Sequence, residues 1–551
     1  MKLGKKDKAF RTNKVSYLDY KIVEMDRVLT HLFARLKHNG ASSKLSAKGM
    51  SVDLFKEEFL DSRNEKHFNG FSQAPITVEK WIETHLVDLI NRGKANEAVA
   101  APRPLHGNTY LFRNPKNCRD YGASKQIYEL LHHSNSNGQH AIKKLKQFFF
   151  AGVDSTTNKY DCSSPVDVET QALLRLSDQV GAKSDVPDHS DLQDRYSPLV
   201  QSSADTLAED VSKLMTYSNY IPRSVMVEYI KNLFAFHLAL YQLKLFKLLP
   251  ALAKSKGRNL EETEKHKIAI YVDMTNGSNK LSHQMAEQSA NLHYKRIPAF
   301  IKAYFGVKKL DEFAEYLSKK GKLSRSASIK KMTVPELFKL LESPLEQERE
   351  QFFGQRNAGI LDTSVSSANE SEEIPPEIHA ITQLGLPEYE TYVEILLFGQ
   401  GNAIRSGLVK NLDSFMLKNK PGALLEQSSG SHGGRRFCLD GRLLEVLLQL
   451  AVLSKGGDLG FHTKELRVDE LLSILQTRYG IHIDTLPSTD SFCDQSIDIN
   501  STLRDNLVGF KRRLREIGFY RDLSDAYVTQ TVSPRYQIDK DQNEKARGSI
   551  A

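Results

Sequence analysis

Asn500-Ser501-Thr502-Leu503-Arg504-Asp505-Asn506-Leu507-Val508-Gly509-Phe510-Lys511-Arg512-Arg513-Leu514-Arg515-Glu516-Ile517-Gly518 is the stretch on which the reading of the fold turns. Leu503, Leu507, Phe510, Leu514 and Ile517 alternate spacings of four and three, the stripe of a packed amphipathic helix. At about 100° per residue, Arg504, Lys511 and Arg515 fall together on one flank of that stripe, with Arg512 beside them. A helix with one buried edge and one cationic edge is how a helix-turn-helix presents itself to DNA. Upstream, the almost wholly apolar Leu443 to Leu453 predicts a buried first helix, and Val468, Leu471, Leu472 and Leu475 give a second helix its core face. Downstream, Phe519-Tyr520-Arg521 and Tyr527 to Val532 have the alternation and β-branched content of two strands, and Pro534, Arg535 and Tyr536 follow. Three helices and a β-ribbon predict a winged-helix-like unit. Its candidate nucleic-acid-binding residues are Arg504, Lys511, Arg512, Arg515 and Arg535, with duplex DNA as the partner. The competing reading is a winged helix that docks protein, because a fold does not by itself assign a function.

The chain has 551 residues, 26% charged and 40% hydrophobic, the balance of an ordinary globular protein. A net charge of +8 is mild over this length, so nucleic-acid binding is expected to be local. Cys118, Cys162, Cys438 and Cys493 include no C-x-x-C pair, which argues against a zinc ribbon or redox dithiol and suits a cytoplasmic setting. Lys2, Lys5, Lys6, Lys8, Arg11 and Lys14 precede no apolar run, so they read as a solvated basic tail rather than a signal peptide. Leu233 to Ala253 is the most apolar segment, but His237, Gln242, Lys244, Lys247 and Pro250 interrupt it. It reads as a buried helix, with no membrane association.

The pattern predicts a mainly α protein with minor β. A helical N-terminal domain with the basic tail spans 1–153, and a polar connector spans 154–206. A helical domain with one strand, Ile268 to Asp273, spans 207–353. A linker spans 354–378, and the winged-helix-like domain spans 379–551. Separate helices are expected at Val78 to Ile90, Glu388 to Phe398 and Ile404 to Leu417.

Other constellations compete with the DNA reading. Asp273 ends the strand, where α/β enzymes often hold a metal. Glu287 and Asp311 are candidate companions, and an Asx turn into Asn276-Gly277 is the plain alternative. Gly430 to Arg436 joins glycines to two arginines but lacks the ending of a nucleotide-binding P-loop, so it reads as a turn. His106, His132, His133 and His140, and the acidic run Asp185, Asp188, His189, Asp191 and Asp194, lack ligand spacing and read as exposed polar surface. His293-Tyr294-Lys295 begins like a phospholipase-D-type motif, but Phe300 stands where the aspartate is needed. No cofactor and no metal is expected.

Leu514-Arg515-Glu516-Ile517-Gly518-Phe519-Tyr520-Arg521-Asp522-Leu523-Ser524-Asp525-Ala526-Tyr527, with Pro534-Arg535-Tyr536, resembles the C-terminal ends of proteins from bacterial anti-phage defence islands, closest to the methylation-associated defence system. The resemblance implies a cytoplasmic, multi-gene defence role with other subunits as partners, and it implies no site residues. The function expected is a DNA-contacting, non-enzymatic subunit of such a complex. The alternatives are a metal-dependent nuclease or hydrolase centred on Asp273, and a protein-docking scaffold.

Overall fold

The computed structural model describes residues 4–538 apart from 5–6, 8, 45–51, 62–68, 155–165, 167–168, 174–184, 259–266, 324–331, 343, 367–375, 428–433, 457–459, 488–496 and 522–529. Its main helices are α1 (Met25–Lys37), α2 (Ala123–His132), α3 (Gly138–Phe149), α4 (Gln201–Leu214), α5 (Arg223–Lys254) and α6 (Lys280–Tyr294). They continue with α7 (Ile297–Lys319), α8 (Glu346–Ser366), α9 (Glu388–Met416), α10 (Gly441–Ala451), α11 (Val468–Tyr479) and α12 (Ile497–Glu516). Strands are short: β1 (Ile270–Tyr271), β2 (Arg435–Phe437), β3 (Leu466–Arg467), β4 (Ile481–His482), β5 (Tyr520–Arg521) and β6 (Thr531–Val532), with a few further two-stranded pairs. The architecture is mainly α with minor β, as the periodicity predicts.

Helix α5 organises the rest. Pro222 caps it with extended backbone, and from Met226 to Leu252 it is buried nearly all round, as a helix apolar on every side must be. Helices α4, α7, α9 and α10 pack against it. No helix among the described residues is long and apolar enough to cross a membrane. The charges α5 carries inward are paired: Lys231 Nζ lies 2.7 Å from Asp26 of α1. His237 Nε2 lies 2.9 Å from the fully buried Asp210 of α4. Arg478 of α11 donates to Asp210 Oδ1 from Nε (3.0 Å) and Nη2 (2.6 Å), and the Tyr479 hydroxyl donates to Oδ2 (2.8 Å). Burial alone would raise the Asp210 pKa, but His237 and Arg478 hold it below the ordinary carboxylate value.

Several expectations are corrected. The N-terminal segment is not a solvated tail where it is described. Phe10 stacks on Tyr304 at 4.3 Å, and Lys14 is buried with its Nζ 3.0 Å from Asp311. Lys2, Lys5, Lys6 and Lys8 lie outside the described residues. Within the polar connector, Asp185 and Asp191 are not surface charges. Asp185 accepts from His38 (2.9 Å), Ser43 (2.6 Å) and Tyr110, and Asp191 pairs with Arg35 (2.6 Å) and Lys125 (2.7 Å). An acidic run opposite basic residues of α1 and α2 is a clamp, which composition cannot distinguish from a loop. His189 and Asp194 are exposed, as expected. The stretch read as a linker from Gly354 is helical to Ser366, because Phe352, Phe353 and Ile360 bury one face of α8 against its neighbours. Residues 367–375 lie outside the described residues. The helix expected at Val78 to Ile90 gives way to a strand at Val87–Ile90 paired with Ala98–Pro102. The two helices expected after residue 387 are one, α9. Glycine inside a helix costs only about 1 kcal/mol, less than the burial along α9 supplies.

Arg478→Met leaves the Asp210 carboxylate without its cation and is expected to destabilise the protein by about 3 kcal/mol, read as a lower urea midpoint at unchanged slope. An unchanged midpoint would show that the pair contributes nothing. Separately, burial, with Arg223 nearby, pushes the His106 imidazole down to about 3, and burial pushes His482 to about 4. Depressed folded values mean that stability is complete above the unfolded value near 6.5 and is lost as pH falls through 4 and then 3. Urea titrations between neutral pH and that range should show a loss of up to about 1.4 kcal/mol per pH unit for each histidine. A flat profile would refute this assignment.

Candidate nucleic-acid interface

Helix α12 is set by what its inner face must do. Thr502, Asn506, Phe510 and Leu514 form its buried line, with Leu503, Leu507 and Ile517 partly buried beside it. The buried line is therefore turned from the apolar stripe read in the sequence. The cause is Asn506, wholly buried and fully engaged. Its Oδ1 accepts from Met274 N (2.7 Å), and its Nδ2 donates to Val272 O (2.9 Å) and Ile483 O (2.8 Å). A buried amide earns its place only when its groups are bonded, and here it closes the backbone of the β1 strand end. Gly509, one turn on, lies so close that a Cβ there would sit 2.4 Å from Met274 O. Asn506 and Gly509 together press one side of α12 onto the loop that follows β1.

The opposite face is cationic. Arg504, Arg512 and Arg515 are exposed and Lys511 is partly so, with Val508 at 58% exposure among them. At about 100° per residue these positions all lie away from the buried line. Among the described residues, Arg504, Lys511 and Arg512 have no hydrogen-bond or ion-pair partner. The Arg515 guanidinium lies 5.2 Å from the centre of the Tyr520 ring. Arg513 turns the other way, donating to Glu516 (3.0 Å) and Asn276 (3.2 Å). Arg535 is not gathered with the helix cations: it pairs with Glu445 of α10, donates to Ile517 O (2.7 Å) and covers the Phe519 ring at 4.8 Å.

Beside α12, a cleft of about 210 Å³ is lined by Thr275, Asn276, Asn279, Asp505, Arg512 and Glu516 among others. Asp273 precedes the lining residues Met274 and Thr275 in the chain but does not itself line the cleft. Its side chain is wholly buried. Oδ1 accepts from Thr275 N (2.9 Å), Thr275 Oγ1 (2.7 Å) and Ser282 Oγ (3.0 Å), and Oδ2 pairs with Arg436. A carboxylate with both oxygens so committed is a structural anchor, and the bonds to Thr275 are those of an Asx turn. Asn276 and Gly277 adopt the left-handed φ values, 55° and 83°, that this turn needs. The candidate companions do not join it: Asp311 pairs with Lys14, and Glu287 packs against Gly434. No group of three or more His, Cys, Asp or Glu side chains suited to a metal occurs among the described residues.

Among the glycine-rich loop's arginines and the four histidines, His140 is exposed and His132 partly so, and the rest are paired or buried where described. Arg435 pairs with Asp413 (2.8 Å) and Arg436 with Asp273 and Glu426, so the cations of the glycine-rich loop are taken. Residues 428–433 of that loop lie outside the described residues. The histidines do not converge. His106 is buried, with Nε2 3.0 Å from Ala151 O and Nδ1 accepting from Asn108 N, while His133 lies 3.3 Å from Glu129. Sequence reasoning missed Asn506, Gly509 and Val508. A polar residue and a glycine on the inner side of an amphipathic helix were the available signal.

Gly509→Ala tests the docking of α12. In an ordinary helix interior this change stabilises by about 0.5–1 kcal/mol. Here the new Cβ meets a backbone carbonyl, so a loss of stability is expected in urea melts, and a gain would refute the close approach.

Comparison with known proteins gives one result. No curated protein and no solved structure matches the chain. The family described as methylation-associated defense system protein MAD7 matches residues 5–536, far more than the C-terminal segment that carried the resemblance. With nearly its whole length matched, the chain belongs to the MAD7 family and is a component of a methylation-associated anti-phage defence system.

Proposed function

We propose that this protein is a DNA-contacting, non-enzymatic subunit of its defence complex, acting in the cytoplasm and touching duplex DNA through the outer face of α12. The observation that carries the reading is the division of charge on that helix. Cations on its inner flank and in the loops around it are paired, while Arg504, Lys511 and Arg512 face outward without a protein partner among the described residues. Cations held on a helix with no carboxylate paired to them among the described residues suit phosphates.

Strand order supports a winged-helix-like reading. β3 lies between α10 and α11, and β5 and β6 follow α12. The antiparallel sheet runs β3-β6-β5, with Val532 opposite both Leu466 and Tyr520. In such a unit α12 holds the recognition position and the ribbon beside it is the wing. The connection between β5 and β6, including Tyr527, lies outside the described residues. Arg515 would reach DNA from above Tyr520, whereas Arg535 would serve by holding the ribbon to α10.

The test is duplex binding by the full chain at several salt concentrations. Affinity should fall as salt rises, with a slope of about 0.9 per phosphate contact. Replacing Arg504, Lys511, Arg512 and Arg515 together by Ala should flatten that slope and weaken binding with the urea midpoint retained. Arg535→Ala should instead lower the midpoint. Unchanged DNA binding in the fourfold variant would remove α12 from the interface, and failure of the parent protein to bind any duplex would favour the protein-docking scaffold.

A further inference from the structure

Val508 stands out on the cationic face of α12. A single exposed apolar side chain means little by itself. Its position is what matters. Asn506 and Gly509 flank it and fix the rotation of the helix, the first through three hydrogen bonds and the second through contact with Met274 O, so Val508 is held outward at 58% exposure. Arg504 precedes it by four residues and Arg512 follows by four, which puts the three in one row with steps of about 6 Å along the axis. Lys511 borders the row.

A row of cation, branched aliphatic and cation matches few surfaces. A protein or solvent face would pair the arginines with carboxylates or leave the centre polar. The major groove of duplex DNA offers both chemistries side by side. Guanine presents acceptors that a guanidinium reads in pairs, and a pyrimidine C5-methyl is the one apolar group on a base edge. Steps of about 6 Å are close to two base pairs at about 3.4 Å each.

Resting on the DNA-contacting reading above, we propose that Val508 is a specificity-determining residue that packs against a pyrimidine 5-methyl group in the major groove. Thymine and 5-methylcytosine carry that methyl at the same place. The inference concerns base selection and not affinity for the backbone, which the surrounding cations supply.

The experiment measures binding of the full chain to three duplexes of one mixed sequence. The first contains thymine, the second deoxyuridine in its place, and the third deoxyuridine together with 5-methylcytosine for cytosine. Losing the methyl should weaken binding by about fourfold, the worth of one buried methyl-sized group. Val508→Ala, at an exposed helical site where Ala is well tolerated, should erase the difference while leaving the salt slope unchanged. Recovery on the third duplex would show that 5-methylcytosine satisfies the contact, and no recovery would assign it to thymine. Equal binding of the parent protein to the first two duplexes, or a preference that survives Val508→Ala, would overturn this proposal alone. Absence of binding to every duplex would overturn the DNA-contacting reading with it.

Discussion

A strand with only two laddered residues cannot bond its own backbone, and the C-terminal half of the molecule is arranged around that shortfall. The amides from Ile270 to Met274 are answered in turn by Gly480 O (2.8 Å), Ser289 Oγ (3.1 Å), His482 O (3.1 Å), Phe437 O (3.0 Å) and Asn506 Oδ1 (2.7 Å). Those acceptors come from α6, from β4 and the residue before it, from β2 and from α12. Because a buried amide left unbonded costs about 1–3 kcal/mol, each acceptor holds its element in place. The Asp273 side chain extends the same logic, tying Arg436, Ser282 and the following turn to the strand end.

The position of α12 follows from this. It supplies the last of the five acceptors, and Gly509 lets it approach the strand loop closely enough to do so. Once that side is committed, the helix has a single solvent face, and the cations on it face outward by elimination. Exposed charges need no partner, but they give a helix its electrostatic character toward a polyanion. The link to the N-terminal helices is made separately, through Arg478 and Tyr479 on Asp210. The C-terminal unit is thereby held to α4 by a paired charge and to the long buried helix by apolar contact.

Much of this was legible in the sequence. The mainly α class, the buried character of Leu233 to Ala253, the strand before Asp273 and the helices of the C-terminal unit follow from period and composition, because burial of a face imposes its repeat on the chain. The resemblance over residues 514–536 pointed to the defence family that the match over 5–536 shows. What could not be read was partnership. Asp185 and Asp191 look like loop charges until α1 and α2 stand opposite them, and Gly354 to Ser366 looks like a linker until its aromatic flank finds a core.

The same limit governs the candidate site. Sequence period placed Arg504, Lys511, Arg512 and Arg515 on one helix, since spacing along a helix fixes which residues share a face. It could not separate Arg504, Lys511 and Arg512 from Arg513, Arg435, Arg436 or Arg535, which carry the same charge, nor show that Asp273 is neutralised by Arg436. Charge is a property of the residue and was present in the sequence. Whether a charge is answered from within or left facing solvent depends on contacts between segments up to hundreds of residues apart, and only the tertiary structure decided that.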